Sequence, residues 1–138
     1  NMCASALVIC SLTGIIDDQI MEATKIKLIC DEGVNAPKIL FFCNTMNDVA
    51  AVGNYILLKL GNHAFHPSNV KTVEACLIGI YHSATWDAQK DTIVKDMKNT
   101  ADSSTKRVVI STTSRSMGVN FPDIRYMINW GPPRCLLD

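Results

Sequence analysis

From residue 38 onward the chain alternates short continuous apolar runs with amphipathic stretches. Lys38-Ile-Leu-Phe-Phe-Cys43 is apolar at nearly every position, the pattern of a strand covered on both faces. Asn44 or Thr45 can cap the helix that follows, where Val49, Val52, Ile56 and Leu60 recur at helical spacing as far as Gly61, a natural stop. Residues 61–73 (GNHAFHPSNVKTV) are rich in turn formers and predict a surface loop. Ala75-Cys-Leu-Ile-Gly-Ile-Tyr81 predicts a second buried strand. Ser83 can cap a second helix with Trp86, Ile93, Val94 and Met97 on one face, which predicts that Trp86 packs rather than stacks on a base. After a polar connection over 99–105, Arg107-Val-Val-Ile-Ser111 predicts a third strand, and Ile124-Arg-Tyr-Met-Ile128, introduced by Pro122, a fourth. Ahead of all this, Ile16 to Cys30 reads as an amphipathic helix, and the apolar stretch Met2 to Leu12 is too short to span a bilayer, which takes about 20 residues.

Strand, helix, strand, helix, strand, strand predicts an α/β fold with a parallel β-sheet and helices on both faces. In such sheets ligands gather at the carboxyl ends of the strands. The residues expected there are Asn44 and Thr45, His82 and Ser83, Thr112 to Asn120, and Asn129 to Pro133. These groups are polar, small or glycine-bearing, and they are the candidates for chemistry.

Composition narrows the picture. The chain has 138 residues, 48% of them hydrophobic and 19% charged, which fits one globular domain and excludes wholesale disorder. The formal net charge is zero, which argues against a polycationic binder. That zero is a cancellation. Residues 1–37 carry Lys25 and Lys27 against Asp17, Asp18, Glu22, Asp31 and Glu32, a net −3. Residues 38–105 are balanced, and residues 106–138 carry Lys106, Arg107, Arg115, Arg125 and Arg134 against Asp123 and Asp138, a net +3. The cysteines at 3, 10, 30, 43, 76 and 135 have irregular gaps and no CxxC, so reduced thiols and an intracellular setting are expected. Cys43, within an apolar run, reads as a buried structural thiol rather than a nucleophile. His63 and His66 match no common zinc spacing, and no metal site is expected.

Three of the carboxyl-end groups resemble, in order and spacing, the second RecA-like lobe of a superfamily-two helicase, and most closely the RecQ group. ILFFCNT (39–45) is similar to helicase motif IV, and GIYHSA (79–84) to the strand and turn that carries a Tyr-His-Ala-Gly sequence in RecQ proteins. RVVISTTSRSMGVNFPDIRYMINWGPPR (107–134) is similar to motif V and the strand after it. Ser116 stands where RecQ proteins usually have glycine, Arg115 replaces an aromatic residue, and Ala84 replaces a glycine. The resemblance divides the chain into a lead-in segment, 1–37, and a partial RecA-like helicase C-terminal lobe, 38–138. It implies that Gly118 and Asn120 face the nucleotide. It also implies that Asn44, Thr45, His82, Thr112, Thr113, Arg115 and Ser116 track the nucleic-acid strand. Hydroxyls and N–H groups of this loop suit phosphate oxygens, and Gly118 permits close backbone approach.

The resemblance implies part of an ATP-dependent 3′–5′ DNA helicase, serving DNA repair and recombination. It would use ATP and Mg²⁺ in the full-length protein, with single-stranded or forked DNA and a first RecA-like lobe as partners, and no membrane. A nuclear location is expected in a eukaryote. The sequence holds no GxxxxGK[ST] and no motif II, and it ends at Leu136-Leu137-Asp138, where motif VI with its arginine finger would follow in the family. The chain alone is therefore expected not to hydrolyse ATP. It is also expected to be poorly soluble, through an open edge at its fourth strand. An RNA helicase or another superfamily-two translocase is the nearest alternative, and the Pro-x-Ile-Arg after motif V favours RecQ. A non-catalytic nucleic-acid-binding or adaptor module is the alternative of a different class.

Overall fold

The computed structural model describes residues 7–11, 21–22, 24–82, 84–98, 105–112 and 124–130. Five parallel strands form one sheet: β1 (Leu7–Ser11), β2 (Lys38–Cys43), β3 (Ile78–Tyr81), β4 (Val108–Ser111) and β5 (Ile124–Trp130), in the spatial order β1-β5-β2-β4-β3. The main helices are α1 (Leu28–Glu32), α2 (Met46–Leu60) and α3 (Asp87–Lys98). Among the described residues, no helix is long and apolar enough to cross a membrane.

β2 lies at the centre, and all six of its residues are buried because both faces are covered. Ile39, Phe41 and Cys43 pack on one face with Val108, Ile110 and Ile128, beneath Val49, Val52 and Ile56 of α2. Leu40 and Phe42 pack on the other with Val109 and Ile124, beneath Ile93 and Met97 of α3. The period-two alternation of a strand makes this division, and the helices on both faces answer the expected α/β architecture. Gly79 lets α3 lie close to β3, since a Cβ there would come within 3.3 Å of the Ile93 side chain.

The ends of α2 follow from local chemistry. The Thr45 hydroxyl accepts a hydrogen bond from the Asp48 backbone N–H at 3.1 Å, satisfying one of the orphan donors of the first turn. Gly61 ends the helix at φ +55°, a conformation that side chains with a Cβ rarely adopt, and its N–H donates to the Leu57 carbonyl.

Buried cations reach backbone carbonyls. Lys38, 1% exposed, reaches the Met97 carbonyl in the last turn of α3 at 3.3 Å, where the helix dipole favours a positive charge. The Lys106 ammonium donates to the carbonyls of Val73 (2.8 Å) and Cys76, tying the segment before β3 to the start of β4. Asp96 of α3 accepts from the backbone N–H groups of Thr105 and Lys106. Burial is the main cause that pushes the Lys106 ammonium below its usual range, against smaller upward pulls from Cys76, Asp96 and Glu74.

The structure changes several expectations. The edge expected to be open beside the fourth strand is covered: β1 pairs with β5 from Leu7↔Tyr126 to Ser11↔Trp130. The unassigned apolar stretch near the start thus supplies a strand, and the edge of the sheet on this side is β1 rather than β5. The lead-in helix expected over 16–30 is seen as helix only at 21–22 and then at Leu28–Glu32, with turns over 24–27; residues 12–20 lie outside the described residues. The loop 61–73 begins with a 3-10 turn, Gly61–Ala64, and a bridge between Phe65 and Cys76 follows. The third expected strand starts one residue later than its pattern and the second three residues later, whereas β5 runs on to Trp130.

Candidate nucleic-acid interface

Because every strand is parallel, all the carboxyl ends emerge on one side. Register sets their levels. Tyr81 pairs with Ser111, Ser111 with Phe42, and Phe42 with Asn129. One step further, Cys43 pairs with Trp130, and Trp130 with Ser11. Asn44, His82 and Thr112 are the first residues beyond these rows, so the fold brings three of the expected site residues to one rim. Thr45 follows directly at the start of α2.

The floor beneath the rim is apolar. Trp130 is buried against Phe41, with ring centroids 5.4 Å apart and planes tilted by 47°. Cys43 lies in the same cluster. Burial, helped by the negative charge of Asp48, pushes its thiol from the ordinary 9.0 up to about 12. A thiol that stays protonated is no nucleophile at neutral pH, so Cys43 belongs to the floor.

On the rim itself the polar groups differ in how far they are committed. Thr45 is exposed, and its oxygen caps α2, which leaves its hydroxyl proton to donate outward. His82 is bound locally: its N–H donates to the Thr85 hydroxyl at 3.0 Å, and its Nδ1 accepts from the Ala84 N–H at 3.1 Å. An accepting Nδ1 leaves Nε2–H as the outward donor of the neutral ring. The Thr112 N–H donates to the Tyr81 carbonyl at 3.3 Å, pinning the first residue after β4 to the end of β3. Asn44 is different. Its Nδ2 is buried and has no hydrogen-bond partner among the described residues. A buried amide donor left unpaired costs about 1–3 kcal/mol, a cost that a ligand oxygen would remove. Thr113, Arg115, Ser116, Gly118 and Asn120 lie outside the described residues.

Two residues join the rim that the sequence did not place there. Trp86 was expected in the core at helical spacing with Ile93 and Met97, but it is 80% exposed. Its carbonyl accepts the Lys90 N–H, so Trp86 caps α3 from outside the helix and the buried stripe begins only after it. The indole therefore stands exposed on the loop between β3 and α3. Lys90, one turn on, lies over the Tyr81 ring at 5.7 Å from its centroid. No local pattern pairs position 90 with 81; only the packing of α3 on β3 does so.

Comparison with known proteins decides the family. A model described as the helicase conserved C-terminal domain matches residues 24–137. The chain belongs to that family. It is the C-terminal lobe of a superfamily-two helicase, with an α/β RecA-like fold. The helicase lobe is also 30% identical over 97 residues to a DEAD-box ATP-dependent RNA helicase 35A of Oryza sativa subsp. japonica. That match covers 70% of this chain and 12% of the rice protein, so the lobe spans a small part of its relative.

Among the described residues, no group of three or more His, Cys, Asp or Glu side chains could hold a metal ion. The described part of the rim offers hydroxyl and N–H donors, at Thr45 and His82, of the kind that suit phosphate oxygens.

Proposed function

We propose that this lobe is part of a RecQ-type ATP-dependent 3′–5′ DNA helicase, supplying one grip on single-stranded DNA and half of the nucleotide cleft. ATP and Mg²⁺ would act in the intact two-lobed protein, where nucleotide binding closes the lobes and hydrolysis reopens them. The described rim would hold consecutive phosphates through Asn44, Thr45 and Thr112. Trp86 would offer a base a stacking surface, and Lys90 would add a cation. The observation that carries the grip is the Nδ2 of Asn44, at the first position beyond β2, which is buried and has no hydrogen-bond partner among the described residues. The sequences GIYHSA and PDIR favour the RecQ reading. In a eukaryote such a protein would work in the nucleus.

A second reading has its own support. The rice relative is named as an RNA helicase, so the lobe could serve RNA instead. Binding of the chain to dT and rU oligonucleotides of equal length, at low and moderate salt, separates the two. Tighter binding to the deoxy strand, with affinity falling as salt rises, is expected. Equal or tighter binding to the ribo strand would favour the RNA reading. No binding to either at low salt would remove both. ATP turnover by the 138-residue chain alone, abolished by Asn120→Ala, would overturn the expectation that it needs its partner lobe.

A further inference from the structure

The amino ends of the strands, on the side of the sheet away from the rim, carry a second feature. Lys38 pairs with Ile124 and Ile39 with Tyr126, so Arg125 is an extra residue without an opposite number. A bulge of this kind re-aims the side chain of the residue it inserts. Arg125 is exposed and lines a cavity of about 450 Å³ with Arg107, Lys38, Asn35, Tyr126 and Glu32. Arg107 is only 1% exposed, and its guanidinium donates to the Ala36 carbonyl at 2.9 Å on the same wall. The Lys38 ammonium turns away to the Met97 carbonyl. The positive character of the cavity therefore rests on two guanidiniums, one fixed by burial and one presented by the bulge.

We propose that this cavity binds a phosphate group between Arg125 and Arg107. Guanidinium forks match phosphate oxygens in geometry as well as charge. A volume of about 450 Å³ falls within the usual range for small-molecule sites. It leaves room for a phosphate and the sugar or base attached to it. Half-buried Tyr126 supplies an aromatic wall. Glu32 opposes an anion from the wall of the same cavity. The phosphate can come from a free nucleotide or from the end of a strand, and neither source uses the carboxyl-end rim.

Titration of the 138-residue chain with inorganic pyrophosphate, followed by calorimetry, tests the site. A binding event is expected that is weakened about tenfold or more in Arg125→Ala, as loss of a charged hydrogen-bonding pair predicts, and that is separable from any binding at the rim. Glu32→Gln should tighten it, and Asn44→Ala should leave it unchanged. Circular dichroism checks that Arg125→Ala is folded; if it is not, Glu32→Gln carries the same test from an exposed helical position. A dT oligonucleotide with and without a 5′-phosphate distinguishes a strand end from a free nucleotide. Three results would each overturn the proposal: unchanged affinity in Arg125→Ala together with Glu32→Gln, loss of binding in Asn44→Ala, and equal competition by polyglutamate.

Discussion

The Lys90 ammonium lies 5.7 Å from the centroid of the Tyr81 ring, joining the first half of α3 to the last residue of β3. The contact holds a cation beside the rim from which Asn44, His82 and Thr112 emerge. Lys90→Ala should weaken single-strand binding about equally across sequences. It should also reduce the slope of log affinity against log salt by about 0.7, the loss of one phosphate contact. Affinity measured at several salt concentrations reads this directly. An unchanged slope would place Lys90 outside the interface.

Trp86 should act on binding without acting on stability. Its indole is 80% exposed, so Trp86→Ala should shift the denaturation midpoint little, within about 0.5 kcal/mol. Loss of a stacked base should cost about 1–3 kcal/mol of binding. In the unsubstituted chain, oligonucleotide addition should quench Trp86 emission and leave buried Trp130 nearly unaffected.

Asn44 should show the reverse trade. Its Nδ2 is buried and unpartnered among the described residues. Asn44→Ala should therefore leave the chain as stable as before, or more stable by up to about 1–3 kcal/mol, while weakening strand binding. Chemical denaturation and binding on the same variant check both halves. Destabilisation with unchanged binding would make Asn44 a structural residue.

Cys43 gives a pH dependence with a definite sign. The folded thiol is raised from 9.0 to about 12, above its value in the unfolded chain. The stability owed to keeping it neutral is complete below pH 9 and is lost as pH climbs toward 12. Unfolding followed across this window should show a decline that Cys43→Ala lessens. At pH 8, alkylation should reach the half-buried thiols of Cys30 and Cys76 well before Cys43.

The two ends of α2 can be tested separately. Thr45→Ala removes the oxygen that caps Asp48 and should cost about 1 kcal/mol. Gly61→Ala places a Cβ at φ +55° and should cost about 1–2 kcal/mol. Urea denaturation midpoints read both.

The stretch from Lys38 to Gly61 was legible because its signals are local: an unbroken apolar run, a capping threonine and a terminating glycine. The rim was legible at Asn44, His82 and Thr112 because motif order and parallel topology both place them there. Other features depended on partners far away in the chain. Leu7–Ser11 becomes a strand only through β5. Trp86 fitted a helical stripe by spacing, and only the start of α3 at Asp87 shows that it lies outside. Arg125 looked like an ordinary strand charge; the bulge that presents it is a property of register between two strands.

The pairing of β1 with β5 also fixes an order of events. Leu7 is made well before Tyr126, its partner in the sheet, and must wait for it. Until then the neighbour that β1 needs does not exist, and an unpaired apolar strand is the kind of segment that aggregates or recruits chaperones. Pairing across so long a separation in sequence is also slow. The central β2, with α2 directly after it, can collapse first, and the first-made strand of this sheet is the last to be admitted to it.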